Sequence, residues 1–349
     1  MKVIVGLSGG VDSSVAACLL KKAGCDVIGV TLRTWDSGSS RCCEIDSARE
    51  SARALCIPYR VINCVSAFRD KVEKPFIESY LRGITPNPCV ICNRFVKWEW
   101  MLYAADVMDA DAVATGHFAS VVRLENGRYT VKRAADAKKD QSYMLYRLTQ
   151  AELSRTVLPL GGLTKAEVRQ IARDAGLPSA EMPDSQEVCF VSEGSYADLV
   201  KSRAPEDYPD EGNFVDEDGH ILGTHRGIFR YTVGQRRGLG LALGYPAFVK
   251  EIRAGTNEVV IGSAESLYVS EILCRELSFM SIPQLRRGEA LPCMAKIRYH
   301  HEARSATIAS EEDGAVRLYF SSPVRAPAPG QSAVFYDENG LIIGGGIIE

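Results

Sequence analysis

KVIVGLSGGVDSSVAACLLKKAG, Lys2 to Gly24, is the stretch on which the fold turns. KVIVGL is a continuous apolar run, as expected of a strand buried on both faces. From Val11 the period changes: Val11, Val15, Ala16, Leu19 and Leu20 recur at helical spacing, and Gly24 supplies a stop. Between the two lies SGGVDSS, Ser8 to Ser14, two glycines, an aspartate and three serines at a strand-to-helix junction. VIGVTL (27–32), IPYRVINC (57–64) and DAVATG (111–116) repeat the apolar runs with helical patterns between them. This alternation predicts an α/β fold whose parallel sheet is covered by helices on both faces. Ligands of such sheets bind at the carboxyl ends of the strands, where both SGGVDSS and Thr115–His117 fall.

With 349 residues the chain is expected to form two or three domains. It is 46% hydrophobic and 24% charged, with neither a bilayer-length apolar run nor a basic, apolar leader, so no membrane role and a cytoplasmic setting are expected. A net charge of -3 argues against a uniformly basic nucleic-acid binder. Local basic groups are present: Lys132, Arg133, Lys138 and Lys139; Arg226, Arg230, Arg236 and Arg237; Arg298, His300, His301 and Arg304. Each suits phosphate contacts. The 11 cysteines are an odd number, which favours free thiols over a disulfide framework. Cys18, Cys25, Cys56, Cys64, Cys274 and Cys293 adjoin apolar runs and are expected to serve as small core residues.

Past about residue 200 the character changes. RAPEDYPDEGNFVDEDGH, Arg203 to His220, reads as a boundary, and its acidic run Glu206 to Asp218 as a solvated loop. AFVKEI, EVVIGS, MAKIRYH, RSATIAS and AVRLYFS then recur as short β-type runs between turn residues. The expected organisation is a nucleotide-binding domain over 1–203, a small β-rich domain over 204–264 and a β-barrel-like domain over 265–349.

SGGVDSS lacks the lysine of a GxxxxGK[ST] phosphate loop. Its glycines would still let backbone N–H groups approach a phosphate at a helix N-terminus, and its hydroxyls can donate. Asp12 would be repelled by a bare anion, which points to Mg2+ between them. A plain strand-to-helix turn accommodates the same residues. Among the cysteines, Cys92 precedes a helical pattern and has Arg94 and Lys97 nearby, so a lowered thiol pKa is expected. Cys189 sits in an irregular stretch. The Cys89-x-x-Cys92 spacing with a remote Cys189 leaves open a [4Fe-4S] cluster, a zinc ion or a redox pair. The adjacent Cys42 and Cys43 are not expected to converge on one metal.

SGGVDSS resembles the pyrophosphate (PP) loop of the ATP pyrophosphatases, enzymes that adenylate a substrate. TPNPCVICNRFVKW, ATGHFA, KKDQSYMLYRL and DSQEVCFV narrow the resemblance to the tRNA-specific 2-thiouridylases. YTVGQRRGLGL and PGQSAVFYDENGLIIGGGIIE extend it over nearly the whole chain. The resemblance implies ATP-dependent adenylation of the C2 oxygen of the wobble uridine, displacement of AMP by cysteine-borne sulfur, and an upstream sulfur donor such as a cysteine desulfurase or a sulfur-relay protein. It assigns Gly6, Leu7, Ser8, Gly9, Gly10, Val11, Asp12, Ser13, Leu32 and Gly116 to ATP, and Asn87, Pro88 and Cys89 to the target base. His117, Lys139, Asp140, Gln141, Arg298, Tyr299 and Gln331 would touch tRNA. Cys92 would be the nucleophile and Cys189 the persulfide carrier. Cys89 departs from the family, whose better-known members have aspartate there as a general acid–base; the departure creates the three-thiol set. Removing residues beyond about 265 is expected to spare ATP binding and weaken tRNA binding. The rival readings are another PP-loop synthetase, such as an amide-forming or lysidine synthetase, and a non-enzymatic cysteine-based sensor that binds RNA.

Overall fold

The computed structural model describes residues 1–35, 42–183, 189–191 and 194–349, with the side chains of 42–44 outside that description. The four apolar runs form strands β1 (Lys2–Gly6), β2 (Asp26–Arg33), β3 (Tyr59–Asn63) and β4 (Ala112–Ala114). All pair in parallel in the order β3-β2-β1-β4, and a short strand, Thr156–Val157, adds beyond β4. Val3 and Val5 point into one core with Val15, Ala16 and Leu20 of helix α1 (Val11–Lys22). Ile4 points into the other, with Trp98, Met101 and Ala105. Both faces of β1 are thus buried, which is why its sequence shows no apolar–polar alternation. From β1 the sheet grows toward β2 and β3 on one side and β4 on the other. That reversal opens a crevice at the strand ends, flanked by SGGVDSS and Thr115–His117.

The middle of the chain forms a four-stranded sheet of Phe248–Arg253, Glu258–Gly262, Gly212–Val215 and Ile221–His225, in that order. The acidic stretch expected to be a solvated loop is therefore partly a strand. Phe214 and Val215 inside it are 0% and 1% exposed, and their burial outweighs the flanking charge. The last part closes into a six-stranded barrel in the order Tyr268–Phe279, Val316–Arg325, Arg304–Ser310, Ala290–Lys296, Ser332–Tyr336 and Ile342–Ile348. The run MAKIRYH leaves its strand after Lys296, so Arg298, Tyr299 and His300 lie on a turn.

The barrel is not a separable appendage. Met280, Val334, Tyr336 and Ile342 share one core with Ile4, Val113, Tyr143 and Tyr146 of the α/β part. Tyr143 donates to the Ser332 carbonyl at 2.8 Å and Thr130 to that of Ile342 at 2.6 Å, while Arg128 Nε reaches Met280 O at 2.7 Å. This shared core argues against the expectation that removing residues beyond about 265 would spare ATP binding. Cys18, Cys64, Cys274 and Cys293 are buried as expected, whereas Cys25 is half-buried and Cys56 is exposed at a turn with φ 48. Among the described residues no helix is long and apolar enough to cross a membrane.

Candidate nucleotide and thiol site

After β1 the chain turns into α1 through Leu7, Ser8, Gly9 and Gly10. Gly9 adopts φ +83, where a side chain would be strained. Gly10 precedes α1 without any side-chain cap, leaving first-turn N–H groups for an anion. The loop braces itself: Ser8 N donates to Ser13 Oγ at 3.1 Å and Ser13 Oγ to Gly10 O at 3.2 Å. Leu7 and Val11 are buried in the core, so they hold the loop in place. A Cβ on Gly6 would approach Met101 Sδ at 3.0 Å, and Leu32 packs at the end of β2. Gly116 sits directly on the loop backbone; a Cβ there would lie 2.5 Å from Ser13 N and 2.6 Å from the Asp12 carbonyl carbon.

Asp12, expected to await a metal, has a protein partner. Its carboxylate oxygens lie 2.7 and 2.9 Å from Lys165 Nζ. Lys165, 153 residues away in sequence, opens the helix Lys165–Asp174, where a cation opposes the helix dipole. Its Nζ also stands 5.7 Å from the Phe118 ring centroid. A lysine absent from the loop thus stands beside it through the fold; its wrong-signed place just after the cap Thr164 was the available signal. Mg2+ commonly takes one or two carboxylates together with substrate phosphates, so Asp12 fits as its protein ligand.

Cys89 and Cys92 lie on the short helix Pro88–Cys92, which runs on through a π-helical turn, Asn93–Trp98, into Glu99–Val107. The Asn87 side chain accepts from Val90 N at its start. The expected lowering of the Cys92 pKa is overturned. Cys92 ends its helix and is buried; desolvation pushes the thiol up to about 12, with Lys97 opposing. Arg94 cannot assist, being engaged by Glu152 at 2.6 Å. Burial also raises Cys89, again against Lys97. Charge on Cys189 would raise both thiols further. Cys189 is exposed, while its neighbour Phe190 is anchored among Trp35, Phe68 and Phe76. Residues 184–188 and 36–41 lie outside the described residues.

The residues assigned to tRNA divide into two groups. Asp140 is buried, receives Ala134 N and Ser142 N at 3.1 Å each, and pairs with Arg133. Gln331 donates to Thr85 O at 3.0 Å and Pro86 O at 3.2 Å, tying the barrel to the turn before Asn87. Arg298 Nη2 donates to Val233 O and Ala326 O, and its buried Nε has no acceptor. Gln141 accepts from Phe118 N at 3.0 Å. These bonds position loops. His117 Nδ1 meets Thr115 Oγ1 at 2.7 Å, and burial together with Lys97 pushes its pKa down to about 3, so the ring is neutral near pH 7. Tyr299 faces Tyr143 and His300. Beside this turn a recess of about 440 Å³ is lined by His300, His301, Arg304 and Arg325 among others. Lys139 borders the Asp136–Gln141 turn.

Three family models match in succession: the HUP domain of tRNA methyl transferase over 1–193, the matching PRC-barrel domain over 198–263, and an aminomethyltransferase beta-barrel domain over 269–348. A tRNA-specific 2-thiouridylase MnmA of Lachnoclostridium phytofermentans is 48% identical over 99% of both chains. Another, of Acetivibrio thermocellus, is 45% identical over 100% of this chain and 99% of its own. The chain belongs to the tRNA-specific 2-thiouridylase family. Among solved structures, a 4-thiouridine synthetase–RNA complex with bound ATP covers 54% of this chain and 44% of its own at 20% identity and TM-score 0.37, too distant to bear on function. Membership agrees with the PP loop, the parallel sheet and the closed barrel of the family's three-part architecture.

Proposed function

We propose that this chain makes 2-thiouridine at the wobble position of tRNA, with ATP as the activating co-substrate. The uridine C2 oxygen attacks the α-phosphorus of ATP; the new O–P bond forms as the bond to pyrophosphate breaks, and the N3 proton is lost. Loop N–H groups and Lys165 neutralise the departing pyrophosphate. Mg2+ held by Asp12 would supply further charge neutralisation there. A persulfide on Cys189 then attacks C2 through its terminal sulfur and AMP leaves with the C2 oxygen. The Cys92 thiolate takes the Cys189 sulfur, which frees thiouridine and leaves a Cys92–Cys189 disulfide for a dithiol to reduce. Lys97 is the cation favouring the Cys92 thiolate, against a desolvation that keeps the resting thiol protonated. The tRNA substrate would set this reaction in the cytoplasm, and a cysteine desulfurase or a relay protein would load Cys189.

The observation that carries the reading is the uncapped glycine loop pressed by Gly116, with the Asp12–Lys165 pair beside it, in a chain of this family. A second reading rests on Cys89 itself, a half-buried thiol where the family resemblance implies an acid. Three thiols are the right donor type for a [4Fe-4S] cluster, which if bound by them would offer an open iron for sulfide. Anaerobic purification with iron and sulfide analysis, combined with single serine variants, separates the two. Under the persulfide scheme Cys92→Ser and Cys189→Ser lose thiolation at least a hundredfold, whereas Cys89→Ser retains it and iron is absent. Under the cluster scheme each variant loses both iron and thiolation. ADP instead of AMP and pyrophosphate as the main product would overturn the proposal altogether.

A further inference from the structure

Lys296 is the last residue of the barrel strand Ala290–Lys296, with Val334 as its cross-strand partner. Its side chain is turned inward, so the residue is only 8% exposed. The ammonium lies over two aromatic rings, 5.3 Å from the Tyr299 centroid and 5.9 Å from that of Tyr143. Those rings are 6.0 Å apart and inclined at 53°. Among the described residues no carboxylate or carbonyl comes within hydrogen-bonding or ion-pair distance of Lys296 Nζ. The charge that acts on it, Asp140, is committed to Arg133, Ala134 N and Ser142 N. Burial lowers the Lys296 pKa, with Asp140 opposing.

An ammonium that meets ring faces but no protein acceptor keeps its hydrogen-bond donors available to a ligand. Ring quadrupoles compensate part of the lost hydration, and a hydrogen-bond acceptor normally supplies the rest. Two facts indicate where that acceptor comes from. Tyr143 lies on the turn Ser142–Leu145, which packs against the helix Pro88–Cys92, with Asn93 Nδ2 donating to Met144 O at 3.0 Å. Gln331, next to the strand paired with that of Lys296, donates to Thr85 O at 3.0 Å. Lys296 therefore borders the turn that carries Asn87 and Cys89, although it comes from the other end of the chain. A lysine held over aromatic rings suits a nucleobase carbonyl better than a phosphate, which would stay hydrated at an exposed lysine.

We propose that Lys296 is a specificity-determining residue, whose ammonium donates a hydrogen bond to the O4 carbonyl of the flipped wobble uridine. The inference rests on the thiouridylation reading. During adenylation the C2 oxygen is occupied, so O4 is the exocyclic acceptor that remains. Lysine offers three donors and no acceptor, and cytosine presents a donating amino group at the same position. Lys296 would therefore admit uridine and reject cytidine.

The test uses the full-length protein, ATP and two transcripts of one tRNA, differing only in uridine or cytidine at the wobble position. tRNA-dependent pyrophosphate release reports adenylation, and filter binding at one stated salt concentration reports affinity. Lys296→Met, similar in shape and suited to a buried site, is expected to lower kcat/KM for the uridine transcript at least tenfold. Overall tRNA affinity should stay within about twofold, because the phosphate contacts are untouched. The ratio of uridine to cytidine activity should collapse toward one, and Lys296→Arg should restore part of it. Unchanged kcat/KM and discrimination in a Lys296→Met protein with wild-type melting temperature would overturn the inference. So would a general loss of tRNA affinity with a salt slope reduced by about one, the signature of a phosphate contact. A wild-type protein that releases no pyrophosphate with the uridine transcript would instead overturn the functional reading on which the inference rests.

Discussion

Lys165 and Cys92 are the residues at which local sequence reasoning and the folded structure part most clearly. Lys165 was invisible as a site residue because its significance depends on Asp12, 153 positions away. It also stands where the helix dipole disfavours a cation, a local conflict that the Asp12 pair offsets. If Lys165 serves the phosphates, Lys165→Met should lose a charge-assisted contact of about 1.5–3 kcal/mol, roughly ten- to a hundredfold in ATP affinity. Titration calorimetry should show AMP binding unchanged, since AMP lacks the departing phosphates. Equal losses for ATP and AMP would reduce Lys165 to a structural partner of Asp12. Cys92 illustrates the opposite error. Nearby basic residues in sequence suggested a thiolate, yet Arg94 is spent on Glu152, and burial decides the protonation state.

Among the elements, the junction of β1 and α1 was readable in detail, because both flanking periods and the glycines are local signals. What sequence did not disclose is that a second junction, after β4, presses on the first. Gly116 lies where any Cβ would meet the Asp12–Ser13 backbone, and backbone at a helix start cannot retreat as a flexible side chain would. Gly116→Ala should therefore displace the loop, costing about 1–3 kcal/mol of stability and at least tenfold in ATP affinity. Thermal melts and ATP titration of the one variant check both; wild-type values for each would show that the loops yield without loss. The Gly212–Val215 strand was hidden for a different reason. Its neighbours are acids and turn formers, and it is held between Ile221–His225 and Glu258–Gly262, the latter a segment distant in sequence.

At the scale of the whole molecule, the barrel completes the core of the α/β part. Removing it would expose Tyr143, Leu145 and Tyr146, each no more than 1% exposed in the intact chain. A fragment covering 1–264 should therefore lose cooperative unfolding and near-ultraviolet circular dichroism, and bind ATP poorly. The full chain should melt with the α/β part and barrel coupled. A fragment that melts cooperatively and binds ATP with intact affinity would refute this reading. The same union ties Gln331 of the barrel to Thr85 and Pro86, directly before Asn87, so that turn is held in place only in the assembled chain.

By itself the sequence determined the parallel sheet, the PP loop at the end of its first strand, the β character of the later modules and the candidate thiols. Each of these depends on periodicity, turn chemistry or motif spacing, all local properties. Tertiary structure alone decided which charges meet, which thiols are desolvated and where the barrel docks. Those outcomes depend on burial and on contacts between distant segments: Asp12 with Lys165, Gly116 with Ser13, Tyr143 with Ser332. A charge separated by 153 residues from its partner leaves no periodic trace, and a pKa depends on the water that the fold excludes.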